Sequence, residues 1–381
     1  MFLSTCYPPP PPTNPKTPNQ TRKNVALNTP RQLKNNDKSW TQCFISSCIN
    51  DQGLSSGGNG AGVNYPLYQF RDPNYTENFT PEFRSFIDKH YNHSFEPLEI
   101  LGYIYALLYS PNYRKRYEGF LKIDYPKILF TENKDLFRAL SLLGIELIGL
   151  HVLNQESLNY SFEKLKDATI GESCYIEGHE RNPIISKKPS HNEQRLYINH
   201  SAYFRGVSQE IYDYRIGGYC VLYQYLKSHK NEPCDFDHVT RIIKVIARTI
   251  EIQKTLEFLT SDLPHLKGND SKALMQEILQ NPPPPPPHLI PIPPLSYHAK
   301  PKPSETLMPH SSVKKQAILT SLPEAGDQLS LYSVSPNLAL ICDRGSKVSP
   351  ISNLFVTNML CDLHVNGSGS YVFLLYRLGS K

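Results

Sequence analysis

Thr80-Pro81-Glu82-Phe83-Arg84-Ser85-Phe86-Ile87, then Pro97-Leu98-Glu99-Ile100-Leu101, then Ser110-Pro111-Asn112-Tyr113-Arg114-Lys115-Arg116-Tyr117-Glu118-Gly119-Phe120 lie within Tyr65 to Phe120, the stretch that decides the fold. Thr80 is an N-cap type, Pro81 suits the first helical position, and Glu82 sits where the helix dipole favours an anion. Phe83, Phe86 and Ile87 then share one helical face. A second helix starts at Pro97, with Leu98, Leu101, Ile104, Tyr105 and Leu108 spaced by three and four. Pro111 ends it or starts the next. Tyr113, Arg114, Arg116 and Tyr117 make an aromatic and basic turn before Phe120 and Leu121. A helical hairpin with a core stripe and solvated arginines accounts for this pattern.

The words add something the pattern does not. Glu77 to Phe83, Ile104 to Pro111, Tyr113 to Phe120 and Lys122-Ile123-Asp124-Tyr125-Pro126-Lys127-Ile128 together resemble the C-terminal specificity region of type ISP restriction–modification enzymes and related adenine-specific DNA methyltransferases. Asp213-Tyr214-Arg215-Ile216-Gly217-Gly218-Tyr219-Cys220-Val221-Leu222, followed by Tyr225-Leu226-Lys227, resembles that family's Ile-Gly-Gly-Tyr turn and its next helix. The resemblance runs from about Phe44 to Leu259. It departs at Tyr225, at Cys220, and at Ser228-His229, where the family has Asp-Arg, which removes a basic residue.

Composition narrows the classes. The chain has 381 residues, enough for two domains, but its 33 prolines exceed the usual share and cluster, so the folded mass is smaller. A formal charge of +5 permits a nucleic-acid partner without arguing for one. Eight cysteines without a CxxC pair indicate neither zinc nor a disulfide framework, and Cys43 and Cys48 read as free thiols. No apolar run reaches the ~20 residues of a membrane span, and no secretory signal is visible. A cytoplasmic location follows as the expectation.

Residues 1–39 read as a disordered proline-rich tail. Residues 40–266 form the domain, opening with a strand at Cys43 to Ile49 and a glycine-rich loop that lacks a phosphate cradle's Gly-Lys-Ser/Thr end. From Lys134, Leu136, Phe137, Leu140, Leu143, Leu147 and Leu150 repeat at helical spacing, and His151 closes that face as a packed residue. Short strands are expected at Tyr175-Ile176 and Leu196-Tyr197-Ile198, beside a loop carrying Lys187, Lys188 and Arg195. Gly217-Gly218 breaks the chain for tight packing, or exposes backbone N–H groups to a phosphate. A last helix spans about Asp237 to Leu259.

Residues 267–326 read as a proline-rich linker, with Pro282 to Pro287 extended. Asn281-Pro282-Pro283 lacks the aromatic fourth residue of an amino-methyltransferase tetrapeptide, because Pro284 stands there. Residues 327–381 read as a partial second copy of the region's opening: Leu354 to Asp362 repeats Cys43 to Asp51, and Tyr371 to Tyr376 echoes the approach to Tyr65-Pro66-Leu67-Tyr68. Pro336 to Arg344 resembles the strand that opens the family's region, so the first unit is expected to lack that strand. Asn337 to Tyr376 could fold back to complete its sheet.

The expected fold is mixed α and β (α+β), a small sheet with a substantial helical portion, flanked by disordered proline-rich segments. The resemblance implies DNA target recognition, with double-stranded DNA as partner and a separately encoded methyltransferase or restriction subunit beside it. No catalytic, metal or cofactor residues are expected in this chain; S-adenosylmethionine would belong to the methyltransferase domain. Charge and position single out Arg114, Lys115, Arg116, Lys187, Lys188, Arg195 and Arg215 for DNA contact. Two rival readings stand beside this: a non-functional gene remnant, and a helical scaffold that recruits partners through polyproline.

Overall fold

The computed structural model describes residues 24–31, 33, 39–48, 62–71, 74–177, 184–186, 189–268, 271–286, 359–365 and 371–377. The chain opens with β1 (Ala26–Pro30), β2 (Phe44–Ser46) and β3 (Gly62–Pro66), an antiparallel sheet in the order β2-β1-β3. A hairpin of β4 (Tyr68–Arg71) and β5 (Asn74–Glu77) leads into α1 (Pro81–Tyr91). Thr80 caps α1 as its residue type suggests, its hydroxyl accepting from Phe83 N at 3.2 Å.

Next come α2 (Pro97–Tyr109), α3 (Pro111–Arg116), the single turn α4 (Glu118–Leu121), β6 (Lys127–Phe130) and α5 (Lys134–His151). α2 and α5 form the centre of the first core. They cross glycine to glycine. A Cβ on Gly144 would stand 1.8 Å from the Gly102 carbonyl oxygen, and one on Gly102 would stand 2.5 Å from the Ser141 oxygen. Both helices are almost wholly buried, because their apolar residues run round every side rather than along one stripe. Tyrosine hydroxyls satisfy the backbone carbonyls that this packing buries. Tyr103 donates to Leu129 O at 2.6 Å, Tyr113 to Lys127 O at 2.7 Å, and Tyr91 to Thr131 O at 2.6 Å.

The second core follows α6 (Gln155–Glu163). It is built from β7 (Ser173–Tyr175), β8 (Ser190–Asn192), β9 (Arg195–Tyr197) and β10 (Ala202–Phe204), an antiparallel sheet ordered β7-β10-β9-β8. Then come α7 (Gln209–Tyr212), the hairpin β11 (Arg215–Ile216) and β12 (Tyr219–Cys220), and α8 (Val221–Ser228). The long α9 (Phe236–Leu259), about 36 Å at 1.5 Å per residue, ties the two cores together. Val239, Ile242, Ile243 and Ile246 pack in the second, Ile252, Leu256 and Leu259 in the first. Where α9 meets α5, Glu146 is only 3% exposed and takes a two-pronged bond from Arg248 at 2.7 and 3.3 Å. Beside it His151 sits between the Tyr105 hydroxyl at 2.8 Å and Thr249 Oγ1 at 3.0 Å. Thr249 gives its own proton to Val245 O, so His151 Nε2 donates to Thr249 and Nδ1 accepts from Tyr105. Burial lowers the His151 pKa to about 3 and keeps the ring neutral. It is the packed histidine its position suggests.

The mixed α and β class is observed, and four expectations are corrected. The tail does not reach residue 39, because β1 lies within it and is the central strand of its sheet. Val25 and Leu27 alternate into the core, and Pro30 falls at the strand end, where a missing N–H is tolerated. The first unit therefore does not lack an opening strand. The fold also continues past 266: α10 (Lys272–Gln280) packs on α5 through Leu274, Met275 and Ile278. Asn281 O then accepts from Tyr160 at 2.6 Å, and Pro283 and Pro286 are buried. Cys43 keeps a buried free thiol, pushed up to about 12 by desolvation, whereas Cys48 is disulfide-bonded.

β13 (Met359–Val365) and β14 (Tyr371–Arg377) form a hairpin, and β14 pairs antiparallel with β6, Phe373 opposite Ile128 and Tyr371 opposite Phe130. The fold-back of the C-terminal piece thus occurs on β6, not on the sheet of β1. Pro336 to Arg344 lies outside the described residues. No single helix among the described residues is long and apolar enough to cross a membrane.

Candidate nucleic-acid interface

The residues singled out for DNA contact fall on three separate elements: Arg114, Lys115 and Arg116 on α3, Arg195 on β9, and Arg215 on β11. Lys187 and Lys188 lie outside the described residues.

Arg114 is turned inward. Because α3 starts directly after α2, its fourth residue faces back onto the α2 C-terminus, where unpaired carbonyls and the helix dipole attract a cation. Its Nε donates to Leu108 O at 2.6 Å, and the guanidinium lies 4.5 Å from the Tyr109 ring centroid and 5.8 Å from that of Trp40. In this position its Nε is engaged within the fold and its guanidinium lies over the two rings. Lys115 and Arg116 point to solvent.

On β9 the chain alternates with period two. Leu196 and Ile198 go to the core, and Arg195 and Tyr197 go outward. β10 does the same, with Ala202 and Phe204 inward and Tyr203 and Arg205 outward. Register sets Tyr203 opposite Tyr197, so their rings lie 5.3 Å apart, and Arg195 lies 5.2 Å over the Tyr203 ring. Arg205 is held by Glu172 through two nitrogens. The β8–β9 turn that projects Arg195 is tight, with Glu193 and Gln194 both at positive φ.

The β11–β12 hairpin carries the third group. Arg215 is exposed and donates to Gly218 O at 2.9 Å, closing the turn. Tyr219 and Tyr223 stand out into solvent beside it, with Lys227 near the Tyr223 ring. Of the glycine pair only Gly217 packs, against Gln42; a Cβ on the exposed Gly218 would meet nothing within 4 Å among the described residues. Gly217 has φ of 59° and its N–H donates to Thr41 Oγ1 at 2.6 Å, so that donor is already used and does not face a phosphate.

Sequence reading did not single out Tyr197, Tyr203, Arg205, Tyr219 or Tyr223 for contact, and the fold places them outward near Arg195 and Arg215. The signal for the first three was present as period-two alternation through Arg195 to Ile198 and Ala202 to Arg205. Among the described residues, no group of three or more His, Cys, Asp or Glu is arranged to hold a metal ion.

The family described as the Type ISP C-terminal specificity domain matches residues 11–260. No curated protein matches the sequence. Several solved structures are similar, three of which follow. A nuclease-deletion mutant of the type ISP restriction–modification enzyme LlaGI, in complex with a DNA substrate mimic, is 22% identical at a TM-score of 0.42, over 65% of this chain and 22% of that one. The ATP-dependent type ISP enzyme LlaBIII bound to DNA is 19% identical at 0.45, over 64% and 16%. The DrdV–DNA complex is 17% identical at 0.43, over 64% and 25%. The chain thus spans between 16% and 25% of the length of these proteins.

Proposed function

This chain belongs to the family of type ISP C-terminal specificity domains, and on that premise we propose that it recognises a DNA target as the specificity part of a restriction–modification system. The single observation that carries this reading is the family match over residues 11–260. Duplex DNA is held through phosphate contacts and read at base edges in the major groove. The exposed cations Lys115, Arg116, Arg195 and Arg215 are the side chains assigned to it, and Lys187 and Lys188 join them from sequence alone. Methylation of adenine and cleavage fall to other domains, on a longer polypeptide or on a separately encoded subunit. Those domains, not this one, hold S-adenosylmethionine. The cytoplasm is where such a system works.

Selection of bound duplexes from a randomised pool, with the full chain near physiological salt, tests the reading. Enrichment of one short motif is expected and supplies the target. Uniform retention that falls steeply with salt would reduce the function to phosphate attraction, and no retention by a folded chain would refute it.

A further inference from the structure

Two of the most exposed large apolar side chains described are neighbours on one helical turn: Phe120 at 64% and Ile123 at 60%. α3 and α4 run on almost as one helix. Tyr117 N bonds Tyr113 O at 3.0 Å, Leu121 N bonds Tyr117 O at 2.9 Å, and Asp124 N bonds Phe120 O at 3.1 Å. Its inner face is Tyr113, Tyr117 and Leu121, spaced by four and packed in or against the first core. The outer face is then Lys115, Arg116, Gly119, Phe120 and Ile123. Lys115 and Arg116 make no ion pair among the described residues, and Arg116 lies against the Tyr117 hydroxyl. Lys122, six residues past Arg116, is already bound to Glu118 at 2.9 Å.

Gly119 is the second observation. A Cβ there would meet nothing within 4 Å among the described residues, and its φ is not positive. Neither packing nor backbone geometry demands glycine, although glycine weakens a helix. What it leaves is a flat spot between two exposed cations and an apolar knob. A chain of alternating anions and flat apolar rings fits such a stripe, with phosphates at Lys115 and Arg116, sugar–phosphate backbone over Gly119, and deoxyribose or thymine methyl against Phe120 and Ile123.

We infer that this α3–α4 stripe is a DNA-contacting face of the specificity domain. The inference rests on the functional reading above and assigns it a surface. Its test uses the full chain and a random-sequence duplex of about thirty base pairs, because phosphate contacts do not need the target. Binding is measured across a salt series for wild type, the Lys115→Gln/Arg116→Gln double variant, Gly119→Gln, Phe120→Ser, and Lys272→Gln on exposed α10 as control. The double variant is expected to bind at least about tenfold more weakly, with the slope of log affinity against log salt lowered by about two. Gly119→Gln is expected to weaken binding about as much while melting no lower than wild type. The control should leave both unchanged. If wild type binds and the stripe variants bind alike with unchanged slope, the inference is overturned while the functional reading stands. If Phe120→Ser alters only self-association or capture of a protein subunit, the stripe is a protein-docking face and the inference is again overturned. A folded wild type that binds no duplex overturns both.

Discussion

Substituting Gly144 by alanine tests the account of the fold at its tightest point. The added Cβ would lie 1.8 Å from the Gly102 carbonyl oxygen and 2.5 Å from its carbon, backbone atoms that no rotamer change can move. Reaching ordinary contact requires α2 and α5 to part by on the order of 1.5 Å. α2 is not free to shift, because Tyr103 is bonded to β6 and Tyr105 to His151. Overpacking against fixed backbone costs more than the usual ~1–3 kcal/mol, about 3–4 kcal/mol. The better helix propensity of alanine returns about 1 kcal/mol. A net loss of about 2–3 kcal/mol remains, a fall in Tm of roughly 5–10 °C for a domain of this size. The same exchange at Gly119, where the Cβ meets nothing, should raise stability by about 0.5–1 kcal/mol. Thermal melts followed by far-ultraviolet circular dichroism, with urea titrations beside them, read both signs in one experiment. If Gly144→Ala melts within a degree or two of wild type, the glycine crossing does not hold the core as described.

Arg248→Met leaves Glu146 buried without its partner and should cost about 3–5 kcal/mol in urea titration, whereas Glu146→Leu/Arg248→Met together should recover much of it. His151 binds a proton in the unfolded chain below its usual value near 6.5 but not in the fold, where its pKa is about 3, so stability is full above pH 6.5 and falls as pH drops toward 3. Between pH 6.5 and 5.0 wild type should lose about 1.5 kcal/mol more than His151→Gln, read from urea midpoints at the two pH values. Truncation after Pro286 removes β14 from the edge of β6. Hydrogen exchange should then lose protection at the Ile128 and Phe130 amides, and unchanged protection would show that the hairpin does not hold that edge.

The sequence by itself determined the helical frame. Thr80-Pro81, Pro97 and Pro111 mark starts that depend on residues within one turn of each other, and every one of them caps or opens a helix in the fold. The apolar spacing from Leu136 to Leu150 fixed α5 for the same local reason. The family words at Glu77 to Phe83 and around Gly217-Gly218 were also legible, and they lie within the matched residues. Tertiary structure alone decided what depends on residues far apart. β1 looked like part of a proline-rich tail because its strand character lies in pairing with β2 and β3, not in composition. α10 looked like linker because a short helix is stable only against α5. Arg114 and Arg116 are two places apart and chemically alike, yet one is drawn onto the carbonyls and rings at the end of α2 and the other is left in water. A helix sends residues two places apart to opposite sides, and only the packed neighbours decide which side is solvent.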